Sequence, residues 1–239
     1  MTSRDDASSA PRQLLQFPDT VRVLAAMVQF QKDNDGKTTG NGQFVVTPST
    51  DSTLDAPPRD RQYFRDHLAF LGNYYRKASR GKVIVLATLL DSVITLPTVM
   101  ATYSPPKTGT NIAVANLARD AWHAVDSAGL VPDFSRYQCF VIFHAGVGRD
   151  IDLVSTLGYD PTPLDIPSLY IGLKAFQGFY GSDFRGIPVN GGTFFITNST
   201  IIPETETRPI PGFAGTRAGM TTQHCCPKCI PYFISRSAM

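Results

Sequence analysis

The chain has 239 residues, of which 42% are hydrophobic and 10% aromatic. This composition is typical of a globular protein rather than a disordered one. The formal net charge is only +2, and the lysines and arginines are scattered, so neither a nucleic-acid partner nor a membrane-surface partner is indicated. There is no run of 18 apolar residues and no apolar signal core after Met1, so we expect neither a transmembrane helix nor a signal peptide in this chain.

The first half of the chain predicts strands and helices in alternation. Residues 1–19 are a polar lead-in that we expect to be disordered, and residues 21–30 form an apolar run that predicts a buried strand. Residues 59–78 carry apolar side chains at helical spacing, with Asp55 as a candidate helix cap. Residues 82–96 are rich in strand-forming residues interrupted by one Asp, which leaves open a bent strand or a tight hairpin.

The second half continues the alternation. Residues 111–128 predict a helix, and residues 138–143 form a short apolar run typical of a buried strand. A short helix is expected over 168–176 and another strand over 193–197. This order predicts an α/β fold, a twisted mixed β-sheet flanked by helices, in which a late antiparallel strand makes the sheet mixed.

The strand over 138–143 runs directly into His144-Ala145-Gly146-Val147-Gly148, which we interpret as a flexible loop at the strand end. In open α/β sheets such strand ends are where sites are built. His144, with Asp150 and Asp152 close behind it, is therefore a candidate general base or metal ligand. The alternative, which we favour, is that His144 only fixes the loop by hydrogen bonds. The lone Gly146-Val147-Gly148 pattern is too short for a phosphate-binding fingerprint and is interpreted as a simple turn.

Glu204 and Glu206 are the only glutamates in the chain. Their spacing would place both on one side of an extended strand, so Glu204 is a weak catalytic candidate of the paired-carboxylate kind. Nothing else in the sequence favours sugar chemistry, and we expect both to be surface residues. No His is followed by Glu, so the zinc-protease motif H-E-x-x-H occurs nowhere in this sequence.

Two further patterns resemble metal-binding motifs but lack ligands that the complete motifs need. The run Asp33-Asn34-Asp35-Gly36 resembles a calcium loop, but Gln31 and Gly42 stand where an EF-hand needs Asp and Glu. We expect an ordinary turn there. His224, Cys225, Cys226 and Cys229 resemble half of a zinc site, whereas a closed structural site needs four well-spaced ligands. We expect a free tail that binds metal only adventitiously, and we assign no metal or cofactor site to this chain.

Several segments, in this order, resemble one protein family. Residues 74–82 match a YY-x-x-x-S-x-G junction between helix and strand, and residues 21–30 match the strand that opens the domain. Residues 133–146, which end in His144-Ala145-Gly146, match the next landmark, and residues 194–204 match a strand followed by Pro-Glu. Over residues 20–212 the chain thus resembles the N-terminal lobe of immune inhibitor A-type secreted metallopeptidases, which are zincins.

The resemblance implies an extracellular enzyme that acts on protein or peptide substrates. The complete family domain uses Zn²⁺, held by two His of an H-E-x-x-H helix whose Glu activates the metal-bound water, and exported relatives often bind Ca²⁺. In this chain the matching pattern stops before that helix, so none of the family's metal ligands can be assigned to a residue here.

We therefore expect residues 20–212 to be an incomplete metallopeptidase-like domain and residues 213–239 to be an atypical Cys-containing tail. A truncation or a frameshift would produce this arrangement, and H-E-x-x-H in another reading frame beyond codon 212 would support the frameshift. The expected function is that of an inactive front part of a secreted zinc metallopeptidase. Two alternatives remain: a non-catalytic α/β binding or scaffold domain, and a small α/β hydrolase or nucleotide binder that uses the His144 loop.

Overall fold

The computed structural model describes residues 20–49, 55–106 and 110–207. Within these ranges strands and α-helices alternate as far as residue 180, three strands follow, and two short 3-10 helices lie at Met100–Tyr103 and Phe134–Arg136. In chain order the elements are β1 (Thr20–Gln29), α1 (Arg61–Ala78), β2 (Ile84–Thr95), α2 (Ile112–Ser127), β3 (Cys139–Val147), α3 (Leu153–Leu157), β4 (Leu169–Gly172), α4 (Leu173–Tyr180), β5 (Ile187–Val189), β6 (Phe194–Ile196) and β7 (Asn198–Thr205).

Five of these strands form one sheet in the order β2-β1-β3-β7-β4. The strand β1 pairs in parallel with β2 and β3, and β3 pairs in parallel with β7. The edge strand β4 runs antiparallel to β7, while β5 and β6 form a separate two-stranded ribbon. The mixed α/β sheet that the sequence predicts is therefore confirmed.

Helices cover the sheet on both faces, which explains why its inner strands are nearly continuous apolar runs. On one face, Phe64 and Leu68 of α1 pack in a cluster with Val23 and Met27 of β1. On the other face, Trp122 of α2 packs in the largest cluster, which also holds alternate residues of β1 and β3. The indole nitrogen of Trp122 donates a hydrogen bond to Ser199 Oγ at 3.0 Å, so this buried polar atom is paired within the core.

Two predictions for the first half need refinement. The helix α1 begins at Arg61, and Asp60 rather than Asp55 is its cap, because the Asp60 side chain accepts from the backbone N–H of Tyr63. Residues 82–96 contain a single strand, and its register with β1 shifts between Ala25 and Met27. The bent-strand alternative is therefore right, since this shift is an irregularity within one continuous strand.

Two predictions for the second half are wrong in part. The strand β3 continues to Val147, so His144 belongs to a strand and not to a flexible loop. The helix expected over 168–176 begins only at Leu173, because residues 169–172 pair with β7 as a strand. Such long-range pairing overrides the local pattern from which a helix is predicted. The strand expected over 193–197 is confirmed as β6.

Some predictions fall outside the described residues. These are the disordered lead-in at 1–19, the domain boundary at Gly212 and the Cys-containing tail at 213–239. No helix in the described ranges has the length and apolar character needed to span a membrane.

Candidate functional site

The candidate site residues lie at the carboxyl ends of the parallel strands. Because β1, β3 and β7 run in the same direction, their carboxyl ends meet at one edge of the sheet, where α/β proteins build their sites. The segment that follows β1 passes over this edge. Its backbone is tied back by a hydrogen bond from Phe30 N to Gly42 O at 2.8 Å and by another from Arg59 N to Val45 O at 2.8 Å.

Glu204 of β7 lies at the centre of this edge and is only 2% exposed. Its carboxylate accepts hydrogen bonds from the backbone N–H of Val45 at 2.9 Å and of Gly146 at 3.0 Å. The guanidinium of Arg59 lies 3.6 Å from the same carboxylate. The expectation that Glu204 is a surface residue is therefore wrong, since one side chain links β7, β3 and the segment after β1.

The environment of Glu204 acts on its pKa in two opposing ways. Burial raises the pKa of this carboxyl because the charged form is removed from water. The two backbone N–H groups and the Arg59 guanidinium lower the pKa, but they do not cancel the effect of burial. The net result is a carboxyl group whose neutral form is favoured more than it is in water.

A second carboxylate, Asp55, is held beside this centre. It accepts a hydrogen bond from the Tyr63 hydroxyl at 3.0 Å and another from the Thr205 hydroxyl, and its Oδ2 lies 3.6 Å from Arg59 Nε. Burial is the main reason why the pKa of the Tyr63 phenol is raised, and the Asp55 carboxylate adds to the increase. Arg59 therefore bridges two acidic side chains that come from distant parts of the chain.

His144 is completely buried in β3. Its Nδ1 lies 2.9 Å from the Ala145 carbonyl oxygen, which can only accept, so the proton of the neutral ring is on Nδ1. Burial lowers the pKa of His144 to about 4, although the hydrogen bond to the Ala145 carbonyl and the nearby Asp150 charge act in the opposite direction. The ring is therefore neutral at pH 7 and packs near Phe30, at a centroid distance of 6.2 Å.

The two aspartates that follow β3 do not join His144 in a common set of hydrogen bonds. Both carboxylate oxygens of Asp150 lie 3.0 Å from the backbone nitrogen of Ser168. Asp152 is the cap of α3, where its carboxylate accepts from the backbone N–H of Ser155 at 3.1 Å. Each of the two carboxylates orders a segment of backbone, which is the structural alternative to acid–base chemistry.

The glycines after His144 are explained by close packing. Gly146 has φ +95°, and a Cβ there would lie 2.9 Å from the sulfur of Met100. A Cβ on Gly148 would overlap the Glu206 carboxylate. The predicted simple turn is wrong for Gly146, which belongs to β3 at a point where the register with β7 shifts.

In the ranges that the structure describes, no three His, Cys, Asp or Glu side chains come together as a metal-binding group. The residues there do not fit the Zn²⁺ that the family resemblance implies. The run from Asp33 to Gly36 lies in a segment without regular secondary structure. His224 and the three cysteines of the tail lie outside the described residues.

Sequence reasoning missed the main partners at this edge, namely Arg59, Tyr63 and Thr205. The one available signal was that the only two glutamates of the chain, Glu204 and Glu206, come directly after an apolar run. Compared with protein-family models and with curated proteins, the sequence gives no match.

Proposed function

We propose that this chain forms one lobe of a metallopeptidase-like domain of the immune inhibitor A type, and that the chain itself does not catalyse peptide hydrolysis. The proposal combines the order of family-like segments along residues 20–212 with the absence of H-E-x-x-H from the sequence. By the same resemblance, the complete domain would act outside the cell on protein or peptide substrates and would use Zn²⁺.

The observation that carries the non-catalytic part is the arrangement around Glu204. A general base must come within hydrogen-bond reach of the proton that it removes from a substrate. Glu204 is 2% exposed, and its carboxylate oxygens already accept from Val45 and Gly146. This arrangement supports a structural role, in which the carboxylate ties the segment after β1 to the ends of β3 and β7.

The remaining site candidates also have structural rather than catalytic surroundings. His144 is buried and neutral at pH 7, and Asp152 is a helix cap. Burial of His144 weighs against a hydrolase or nucleotide binder that uses this segment, because neither substrate nor nucleotide reaches the ring in this arrangement. The non-catalytic binding or scaffold domain is the second candidate, and it is favoured by an open groove beside β2.

Zinc content separates a metal-holding enzyme from a scaffold. We would dialyse the full chain against Zn²⁺, remove free metal and measure bound zinc by mass spectrometry in the wild type, in His144→Gln and in Cys226→Ser/Cys229→Ser. We expect His144→Gln to bind as much zinc as the wild type, and any bound zinc to disappear in the double Cys variant. About one Zn²⁺ per chain that is lost in His144→Gln but kept in the Cys variant would contradict the proposal.

A further inference from the structure

The strand β2 is an edge strand with one open side. It pairs with β1 from Ile84 to Thr95, and within the described ranges no strand lies on its other side. Proteins protect such edges with bulges and charges, because unpaired N–H and C=O groups attract other strands. Here the register shift lies between Leu89 and Val93, and it includes the charged Asp91. The part of the edge from Ile84 to Leu89 has neither protection, although the Leu89 carbonyl oxygen at its end accepts a hydrogen bond from the Arg61 side chain at 3.2 Å.

A groove of about 760 Å³ runs between this edge and α1. The helix lines it with three arginines, Arg61, Arg65 and Arg76. Asp91 is the one carboxylate among the lining residues, and it forms an ion pair with Arg61. The wall of the groove on the α1 side is therefore positively charged.

The opposite face of the same edge is apolar. Val85 and Leu89 point to the α1 side, where they pack with the helix. Ile84 and Leu86 alternate with them and so point to the other face. There they are 40% and 45% exposed. The open edge thus presents arginines on one face and uncovered aliphatic side chains on the other.

We propose that the edge of β2 from Ile84 to Leu89 binds an extended segment of a protein partner in which acidic and apolar side chains alternate. A peptide that adds as a new strand makes backbone hydrogen bonds to the edge, and its side chains point alternately to the two faces. The acidic side chains then meet Arg65 and Arg76, and the apolar side chains cover Ile84 and Leu86.

Charge decides between this partner and a second copy of the chain. Residues 84–90 contain no Asp or Glu, and the Asp91 that follows them is already paired with Arg61. A second copy of this part of β2 therefore offers no free carboxylate to Arg65 and Arg76. Unpaired like charges at an interface disfavour association. A partner strand with carboxylates at alternate positions pairs with the arginines on one face, and its apolar side chains cover Ile84 and Leu86 on the other.

The test is a titration of the full chain with a fluorescent eight-residue peptide that alternates Glu and Val, followed by anisotropy. A matched peptide that alternates Lys and Val is the control for charge. We expect the Glu/Val peptide to bind at least about tenfold more tightly than the Lys/Val peptide. We also expect it to slow amide hydrogen exchange over Ile84–Leu89.

Variants of α1 test whether peptide binding depends on the arginines that line the groove or only on the overall charge of the protein. Arg65→Glu/Arg76→Glu should weaken binding of the Glu/Val peptide about tenfold or more, and should strengthen binding of the Lys/Val peptide. Lys77→Glu, an exposed change on the same helix outside the groove lining, should change either affinity less than twofold. Equal binding of both peptides, or binding that is insensitive to the double variant, would overturn the proposal. So would protection of Ile84–Leu89 that rises with protein concentration when no peptide is present, because a second copy would then occupy the edge.

Discussion

The carboxylate of Glu204 lies 3.6 Å from the guanidinium of Arg59, and both side chains are buried from solvent at the carboxyl edge of the sheet. Arg59 stands just before α1, and Glu204 is near the end of β7. The pair therefore connects the start of α1 to the end of β7. Replacing Arg59 therefore leaves the buried Glu204 carboxylate with only its two backbone N–H partners, from Val45 and Gly146.

Replacing Arg59 with Met should destabilise the protein strongly. The change leaves Glu204 buried without its guanidinium, and breaking a buried ion pair from one side typically costs about 3 kcal/mol of unfolding free energy. Urea unfolding of the wild type and Arg59→Met measures the difference. Arg65→Met, at an exposed position on α1, is the control and should stay within about 0.5 kcal/mol of the wild type.

The double variant Arg59→Met/Glu204→Gln should be more stable than the sum of the two single changes implies, because it no longer buries an unpaired charge. If Arg59→Met lowers the unfolding free energy no more than Arg65→Met does, the ion pair between Arg59 and Glu204 contributes nothing to stability.

Glu204→Gln should reveal the raised pKa of Glu204 as a pH dependence of stability. Because burial raises the folded-state pKa above the usual 4.5, the contribution of Glu204 is fully present below the unfolded pKa and is lost as pH rises through the folded pKa. The Gln variant does not titrate at this position. The unfolding free energy of the wild type minus that of the variant should therefore fall as the pH rises from the unfolded pKa, near 4.5, to the higher folded pKa. A difference that stays level or increases over this range would contradict the account.

His144 should make the protein sensitive to mild acid. Its folded-state pKa is lowered from 6.5 to about 4, so its contribution is present above pH 6.5 and is lost as pH falls through about 4. Relative to His144→Gln, the wild type should lose on the order of 3 kcal/mol of unfolding free energy between pH 7 and pH 4. The ring signal in an NMR titration gives the pKa directly. A value near 6.5 would mean that the ring reaches water.

The same substitution at two glycines should have opposite effects. Gly146→Ala places a Cβ 2.9 Å from Met100 Sδ at a φ of +95°, so it should destabilise the protein by about 1 to 3 kcal/mol. Gly178→Ala in α4 meets no atom within 4 Å and should stabilise the protein by about 0.5 to 1 kcal/mol. Thermal unfolding distinguishes the two. Equal effects would show that packing at Gly146 is not tight.

The sequence predicts the α/β architecture well, because buried strands such as β1 and amphipathic helices such as α1 leave local apolar patterns. It does not predict β4, whose four residues are a strand only because β7 lies beside them. Nor does it predict the burial of Glu204, which depends on Val45, Gly146 and Arg59 meeting from three segments. Local patterns carry no information on such distant pairs.

The most direct test of the central claim is a proteolysis assay on the full chain. Casein is incubated with the purified protein in the presence of Zn²⁺, with and without a chelator, and a zincin of the immune inhibitor A type serves as the positive control. We predict no cleavage above background under either condition, because the sequence lacks the zinc-binding helix and Glu204 is engaged in structural bonds. Cleavage of casein that the chelator abolishes would contradict the account.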